Sequence, residues 1–371
     1  MDKRFLTIAI AMLGACELSA QSWPAVSPEA KPGARWWWLG SAVTEKDLKW
    51  NIEEYAKTGI GALEITPIYG VQGNDKNNLS FLSAPWMKAL NFTETEGANN
   101  GVLIDMNNGT GWPFGGPEVP LSEAAAKLVY TDTTIIGKTL RTGIDISIKD
   151  KKEKQYATLS KVMAYYTNGA TDLTEMTDAN GIVKWPNAQK KENYRIIAVY
   201  CSRTRQKVKR AAPGGEGYVI DHFDRNAVSH YLQRFEDAFA KNGTPYPHSF
   251  FNDSYEVYKA NWTPSLFVEF EKRRGYKLEE HLLELLGEKE DNGNKVLVDY
   301  RETLGELLLE NFTEQWTAWA HKHGVKTRNQ AHGSPANLID IYSAVDIPEI
   351  EGFGLSDFRI KGLRTDTGYT R

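Results

Sequence analysis

The sequence predicts an α/β protein built as a (β/α)8 TIM-like barrel, incomplete at about six of its eight strands and carrying an inserted antiparallel β unit. Three observations carry this expectation. First, short apolar runs recur, each reached through a helix or a loop, with Gly59, Gly101, Gly243 and Gly324 punctuating the approach. Repeated helix–Gly–strand units imply parallel strands and right-handed crossovers. Second, polar residues cluster just after the apolar runs, at the strand ends where a barrel presents its functional groups. Third, a doubly wound sheet that binds phosphate would carry a Gly-x-Gly-x-x-Gly or Walker loop, and the chain has neither.

The elements follow in order. After a proline-rich lead (Pro24, Pro28, Pro32), Arg35-Trp36-Trp37-Trp38-Leu39-Gly40 is a bulky apolar run of strand length. Thr44 caps the next helix, with Asp47 placed as in a capping box. Leu48, Ile52 and Tyr55 share its apolar face, and Gly59 ends it. Ala62–Thr66 is the second strand, ending at Pro67. A helix around Trp86–Thr95 leads to the third, Val102–Met106, which opens into the Gly-rich run Asn107–Gly116. From about 128 to 218 the pattern changes. Leu128–Ile136, Ala157–Asn168 and Tyr194–Cys201 are alternating or β-branched and aromatic runs separated by turn signals, hence antiparallel strands. The charged runs Lys149–Lys154 and Arg203–Arg210 are expected to be solvated.

The αβ rhythm then resumes. It predicts a helix over Asn226–Lys241, a strand at His248–Phe251, and a helix started by Thr263 and Pro264 and ended by Gly275. A long helix of roughly Glu302–His323 and a strand at Val325–Asn329 follow. A helix around Asn337–Ala344 precedes a last strand in Ile347–Gly352. The expected organisation is therefore an export signal at 1–20, barrel segments at 21–127 and 219–371, and an inserted β-rich region at 128–218.

Composition narrows the function classes. With 371 residues, 41% hydrophobic and 25% charged, the chain is of ordinary globular make-up. A net charge of −4 gives no reason to expect nucleic acid as a partner. Lys3 and Arg4 precede the apolar stretch Phe5–Ala15, which is too short to span a membrane and reads as a secretory signal. Leu13-Gly14-Ala15-Cys16 matches a bacterial lipoprotein box, which would anchor a lipid at Cys16; Leu18-Ser19-Ala20 matches an ordinary cleavage site. Both export the chain, to the periplasm or to the cell envelope as a lipoprotein. Eleven Trp, 17 Tyr and 14 Phe offer flat apolar faces that suit sugar rings and a large core alike.

The strand ends supply the chemistry. They contribute Glu64 or Thr66; Asp105, Asn107 and Trp112; Asp253 and Glu256; Arg328, Asn329, Gln330 and His332; Glu349 and Glu351. Carboxylates, amides and aromatics together describe a carbohydrate site, since glycoside hydrolysis needs one protonated carboxyl and one carboxylate about the scissile bond. Glu64 is expected to be either a member of a buried ion pair or a wall of the site. Glu349 and Glu351 lie two apart on a strand and hence on one face, which suits calcium, a substrate clamp or an ion pair with Arg328. His321 and His323, two apart on a helix, cannot share a face and are expected at the surface.

Several motifs in order carry a resemblance. They are Trp36-Trp37-Trp38, Ile104-Asp105-Met106 through Gly109-Thr110-Gly111-Trp112-Pro113-Phe114-Gly115-Gly116-Pro117, and Val208-Lys209-Arg210-Ala211-Ala212-Pro213-Gly214. Asn252-Asp253-Ser254-Tyr255-Glu256, Arg274-Gly275-Tyr276, Asn329-Gln330-Ala331-His332-Gly333 and Glu349-Ile350-Glu351-Gly352-Phe353-Gly354 complete the series. Together they resemble the α-L-rhamnosidases of glycoside hydrolase family 106. The resemblance implies an exported bacterial enzyme that removes terminal α-L-rhamnose from plant-type glycans on a (β/α)8 barrel. It implies inversion, with carboxyl groups about 6.5–9.5 Å apart, and a calcium ion near the sugar. It makes Glu256 the catalytic acid. Asp105, Asn107, Trp112, Asp253, Asn329, His332 and Glu349 are then expected to bind substrate, Asp253 by positioning rather than by proton transfer, and Glu351 to ligate the metal. Family members are longer and carry the second catalytic glutamate on a later strand, so the partner base is expected beyond residue 371. Two other readings stay open: another exo-glycosidase specificity on the same barrel, and a secreted carbohydrate-binding protein without catalysis.

Overall fold

The computed structural model describes residues 24–137, 143–186, 192–287 and 295–350. The expected export signal, Cys16 and Glu351 lie outside the described residues.

The chain enters β1 (Gly33–Leu39), then α1 (Glu45–Lys57), β2 (Ala62–Ile68), α2 (Ala84–Asn100) and β3 (Leu103–Asn107). Thr44 caps the helix as expected, its Oγ1 accepting from Asp47 N at 3.2 Å; Asp47 Oδ2 answers by accepting from Thr44 Oγ1 at 2.7 Å rather than from the Thr44 backbone. The insert supplies β4 (Ala126–Ile136), β5 (Thr158–Tyr166), β6 (Gly169–Asp172) and β7 (Asn193–Arg203). The second part runs α3 (Arg225–Asn242), β8 (Ser249–Asn252) and α4 (Leu266–Arg274). A long helical run follows, made of α5 (Lys295–Leu307), a π segment (Leu308–Thr313) and α6 (Glu314–Lys322). Then come β9 (Lys326–Asn329), α7 (Leu338–Ser343) and β10 (Ile347–Pro348).

Six strands form one parallel sheet in the order β1-β2-β3-β8-β9-β10. A closed barrel is not formed among the described residues. β3 pairs directly with β8 although the whole insert lies between them in sequence, so the insert loops out without parting the sheet. Its own strands pair antiparallel in the order β4-β7-β5-β6.

Strand periodicity explains the burial. In β1, Trp36 and Trp38 are buried under the helices, Trp36 against Tyr55 and Trp38 against Trp86. Trp37, between them, points to the opposite face and stays 43% exposed. In β7, Ile196, Ala198 and Tyr200 enter a small core with Val162 and Ile146, whereas Ile197, Val199 and Cys201 join the main core. Both faces are buried, which is why β7 reads as a continuous apolar run.

Several expectations need correction. β2 continues through Pro67. Its carbonyl accepts from Gly111 N at 2.9 Å, beyond the last β2–β3 pair (Ile65 with Met106), so the missing N–H disrupts no ladder bond. Thr263–Ser265 form a turn, Leu266 N donating to Thr263 O at 3.1 Å, and α4 starts only after it. The long helix is already formed at Lys295, the first described residue of this stretch, and Val296 and Tyr300 extend its apolar stripe onto the core. His323 is not a free surface group: its ring stacks on Tyr246 (4.4 Å) and its Nε2 lies 2.9 Å from Glu236 Oε1. Lys151–Lys154 do form the expected solvated turn, helical and capped by Asp150, and only Glu153 within it turns inward to gather Lys127, Ser202 and Arg205.

Candidate active site

Paired residues of neighbouring parallel strands point to the same face. Arg35, Glu64, Asp105, Ser249 and Lys326 stand in one row of the sheet. Asn107, Phe251 and Arg328 stand in the row above, and Trp37 pairs with Thr66 two residues beyond the Arg35–Glu64 pair. On this inner face Glu64 is the electrostatic hub. Its Oε1 lies 3.1 Å from Arg35 Nε and accepts from Thr66 Oγ1 at 2.5 Å, and its Oε2 contacts Arg328 Nη2. Burial pushes the Glu64 carboxyl up, while Arg328 and Arg35 pull it back. Arg35 also reaches Asp253 Oδ2 (3.0 Å), and Arg328 reaches Glu349 Oε2 (3.3 Å). The two guanidiniums flank the Phe251 ring at 4.9 and 4.6 Å. Glu64 is thus an ion-pair member.

Above this network the strand ends are stitched together. Asn252 Nδ2 donates to Asn329 Oδ1 (2.9 Å), Ser254 Oγ to Gln330 Oε1, and Tyr255 N to His332 O (2.7 Å). Asn107 Nδ2 donates to Gly111 O at 2.7 Å and shapes the Gly-rich loop. Gly111 adopts φ +51°, and a Cβ there would meet Lys209 O at 1.8 Å. Only glycine allows that approach, which creates a β-bridge between Trp112 and Lys209: Lys209 N donates to Trp112 O (2.8 Å) and Trp112 N to Lys209 O (3.2 Å).

That bridge delivers Lys209 to Glu256. The ammonium contacts Glu256 Oε2, and Tyr258 OH donates to the same oxygen at 2.9 Å. Gln206 clamps the loop from both sides, Nε2 donating to Glu256 O and Oε1 accepting from Tyr258 N, each at 2.7 Å. Partial burial raises the Glu256 carboxyl, but Lys209 and Tyr258 outweigh it. The Trp112 indole, which makes no hydrogen bond of normal geometry, adds a smaller pull in the same direction. The group sits below the ordinary carboxylate range.

Beside it lies a depression of about 380 Å³ lined by Trp37, Leu39, Ile68, Tyr69, Trp112 and Arg210. Arg210 lies 5.8 Å from the Tyr69 ring and 5.6 Å from Trp112, and its Nη1 donates to Tyr69 OH at 3.0 Å. Trp112 is shared between the depression and the Glu256 cluster.

The comparisons agree with this architecture. A family model described as alpha-L-rhamnosidase, glycoside hydrolase family 106, matches residues 25–144 and 139–353. The chain belongs to glycoside hydrolase family 106. A solved rhamnosidase from Novosphingobium sp. PP1Y shares the fold, with a TM-score of 0.67 at 17% identity over 86% of this chain and 48% of that one. A curated protein of Formosa agariphila with the provisional name beta-glucuronidase is 24% identical over 86% of this chain and 31% of its own length. The chain therefore spans about half of the solved relative and about a third of the curated one.

The expected site residues fall into two groups. Glu256 and Trp112 come together at the edge of the depression. Asp105, Asn107, Asp253 and Asn329 are buried with their polar atoms engaged inside the protein; Asp105, in mid-strand, lies 2.9 Å from His248 Nδ1. His332 is exposed at the rim, and Glu349 is half-buried against Arg328. Glu349 is held by Arg328, and Glu351, the expected calcium ligand, lies outside the described residues; among the described residues no three acidic, histidine or cysteine side chains converge.

The expectation for Arg203–Arg210 is corrected. Arg205 pairs with Glu153, Lys207 lies 3.2 Å from the Tyr218 ring centroid, and Lys209 binds Glu256, because this segment returns from the insert along the Gly-rich loop. Lys209, Gln206, Tyr258, Arg210 and Arg35 are the site groups the strand-end argument missed. Lys209 and Arg210 were within reach, since both stand in one of the family motifs.

Proposed function

We propose that this chain carries the proton-transferring carboxyl of an exo-acting α-L-rhamnosidase, with Glu256 as the acid and the aromatic depression as the sugar subsite. The observation that carries the reading is the position of Glu256. It follows the end of β8, remains partly open to solvent, and shares Trp112 with an exposed aromatic hollow. Terminal rhamnose stacks on Trp37 and Trp112, and Arg210 and Tyr69 hold its hydroxyls. Glu256 gives its proton to the glycosidic oxygen as the C1–O bond breaks. Water attacks the opposite face and loses its proton to a second carboxylate, inverting C1. The six parallel strands are, in this reading, part of a (β/α)8 barrel, and the signal-like N-terminal sequence exports the protein.

One observation favours a second reading. Arg210 pairs with no carboxylate in any ion pair found among the described residues, and a relative bears the provisional name beta-glucuronidase. Such a guanidinium at the rim suits a uronic acid. Turnover of aryl α-L-rhamnoside against aryl β-glucuronide separates the two. Release of rhamnose with inverted anomeric configuration supports the first reading. Hydrolysis of the glucuronide alone overturns it, and sugar binding with neither hydrolysis leaves a binding protein.

Trp37→Ala tests the subsite. Trp37 is 43% exposed and has the Arg35 guanidinium 5.2 Å from its ring, so the melting temperature of the variant is measured beside its kinetics. Removing its contact with the sugar is expected to weaken binding by ~1.5–3 kcal/mol, about tenfold or more in KM, with kcat nearly unchanged. An unaltered KM would move the subsite elsewhere.

A further inference from the structure

We propose that Lys209 is a positioning residue that holds Glu256 as a carboxylate in the resting site, so that proton donation requires the Lys209–Glu256 pair to open. The proposal rests on Glu256 being the acid and deepens that reading. Its basis is geometric. Lys209 is placed from the backbone: the bridge with Trp112 and the close approach at Gly111 leave the segment no freedom to withdraw. Glu256 is placed just as firmly, its backbone and that of Tyr258 held by the single side chain of Gln206. The segment that carries Lys209 also carries Gln206, so it both anchors the Glu256 loop and brings an ammonium onto the carboxylate oxygen, Oε2, that Tyr258 OH also contacts. Tyr258 OH also accepts from Lys209 Nζ at 2.6 Å, closing a three-membered cluster.

The groups facing Glu256 are Lys209 from the segment returning from the insert, Tyr258 from its own loop and the Trp112 indole from the β3 loop; no acidic group appears among them. Every polar neighbour favours the ionised form. Partial burial opposes it and does not prevail. A general acid in a glycosidase is normally raised by its surroundings; here the resting environment does the reverse. The cation responsible is therefore the element that must be displaced. The glycosidic oxygen and neighbouring hydroxyls of a bound sugar are the acceptors to which Lys209 can turn. Glu256 then takes a proton from solvent water after substrate arrival, and in the free enzyme the protonated form exists only at acidic pH.

The test follows Glu256 directly and through turnover, in the full chain. With side-chain carboxyl ¹³C-labelled glutamate, the Glu256 resonance, assigned by its absence in Glu256→Gln, is titrated in native protein, Lys209→Met and Lys209→Arg. The expected midpoint lies below the ordinary Glu value of about 4.3 in native protein and in Lys209→Arg, and rises by about one pH unit or more in Lys209→Met. The alkaline limb of kcat/KM, which reports the free enzyme's acid, is expected to move to higher pH by the same amount. A midpoint unchanged by Lys209→Met overturns the proposal even if Glu256→Gln abolishes turnover. If the midpoint moves and Glu256→Gln remains fully active, the Lys209 pairing stands and the assignment of Glu256 as acid fails. Should Lys209→Met fold poorly, Lys209→Gln supplies the same readout.

Discussion

Glu256→Gln is expected to lower kcat on a rhamnoside with a sugar or alkyl leaving group by about 10²–10⁴-fold. The amide keeps the size and the Gln206 clamp, which uses only the backbone of residue 256. It has no acidic proton to give. The loss should depend on the leaving group. A nitrophenolate departs with little help, so the same variant should retain much more of its activity on nitrophenyl α-L-rhamnoside. A general acid predicts this contrast, and a residue that only shapes the loop does not, because misfolding would depress both substrates alike. Equal losses on the two substrates would argue that Glu256 is structural. KM should change little, since the proton is shared with the glycosidic oxygen mainly in the transition state.

Glu64→Ala is the second large expected effect, and it falls on stability. Glu64 is 4% exposed and neutralises two guanidiniums, Arg35 and Arg328, that flank Phe251. Removing one partner of a buried pair leaves uncompensated charge inside the protein, typically costing about 3–5 kcal/mol. Arg35 would keep Asp253 and Arg328 would keep Glu349, so the lower part of that range is expected. Urea unfolding at fixed pH reads the difference. Arg328→Met in the Glu64→Ala background should recover part of the loss, because it removes a charge that the first change left unpaired. A single-variant cost below about 1 kcal/mol would show that water enters and screens the network.

Much of the scaffold was legible locally. Apolar runs of strand length, a helix cap at Thr44 and αL glycines at 101, 243 and 275 placed the sheet and most helices, because each signal acts within a few residues. Boundaries failed where a distant partner decided them. Pro67 remains in a strand because the ladder with β3 has already ended there while β1 still pairs with it, and Lys295–Arg301 are helical because Val296 and Tyr300 meet a core assembled from elsewhere.

The candidate site divides the same way. Glu256 could be chosen from sequence, since a strand running into a polar segment exposes that segment at the sheet's end. Its electrostatic state could not. Lys209 is 47 residues earlier and reads as part of a basic run that water would solvate. Asp105 and Asn329 look available at strand ends, yet packing assigns them partners in His248 and Asn252. By itself the sequence determined the order of most strands and helices and the family, and it singled out Glu256 as the carboxyl to propose for proton transfer. Only the tertiary structure decided which charges meet that carboxyl, because an ion pair depends on distance in space, and the insert carries Lys209 back across the sheet to within reach of Glu256.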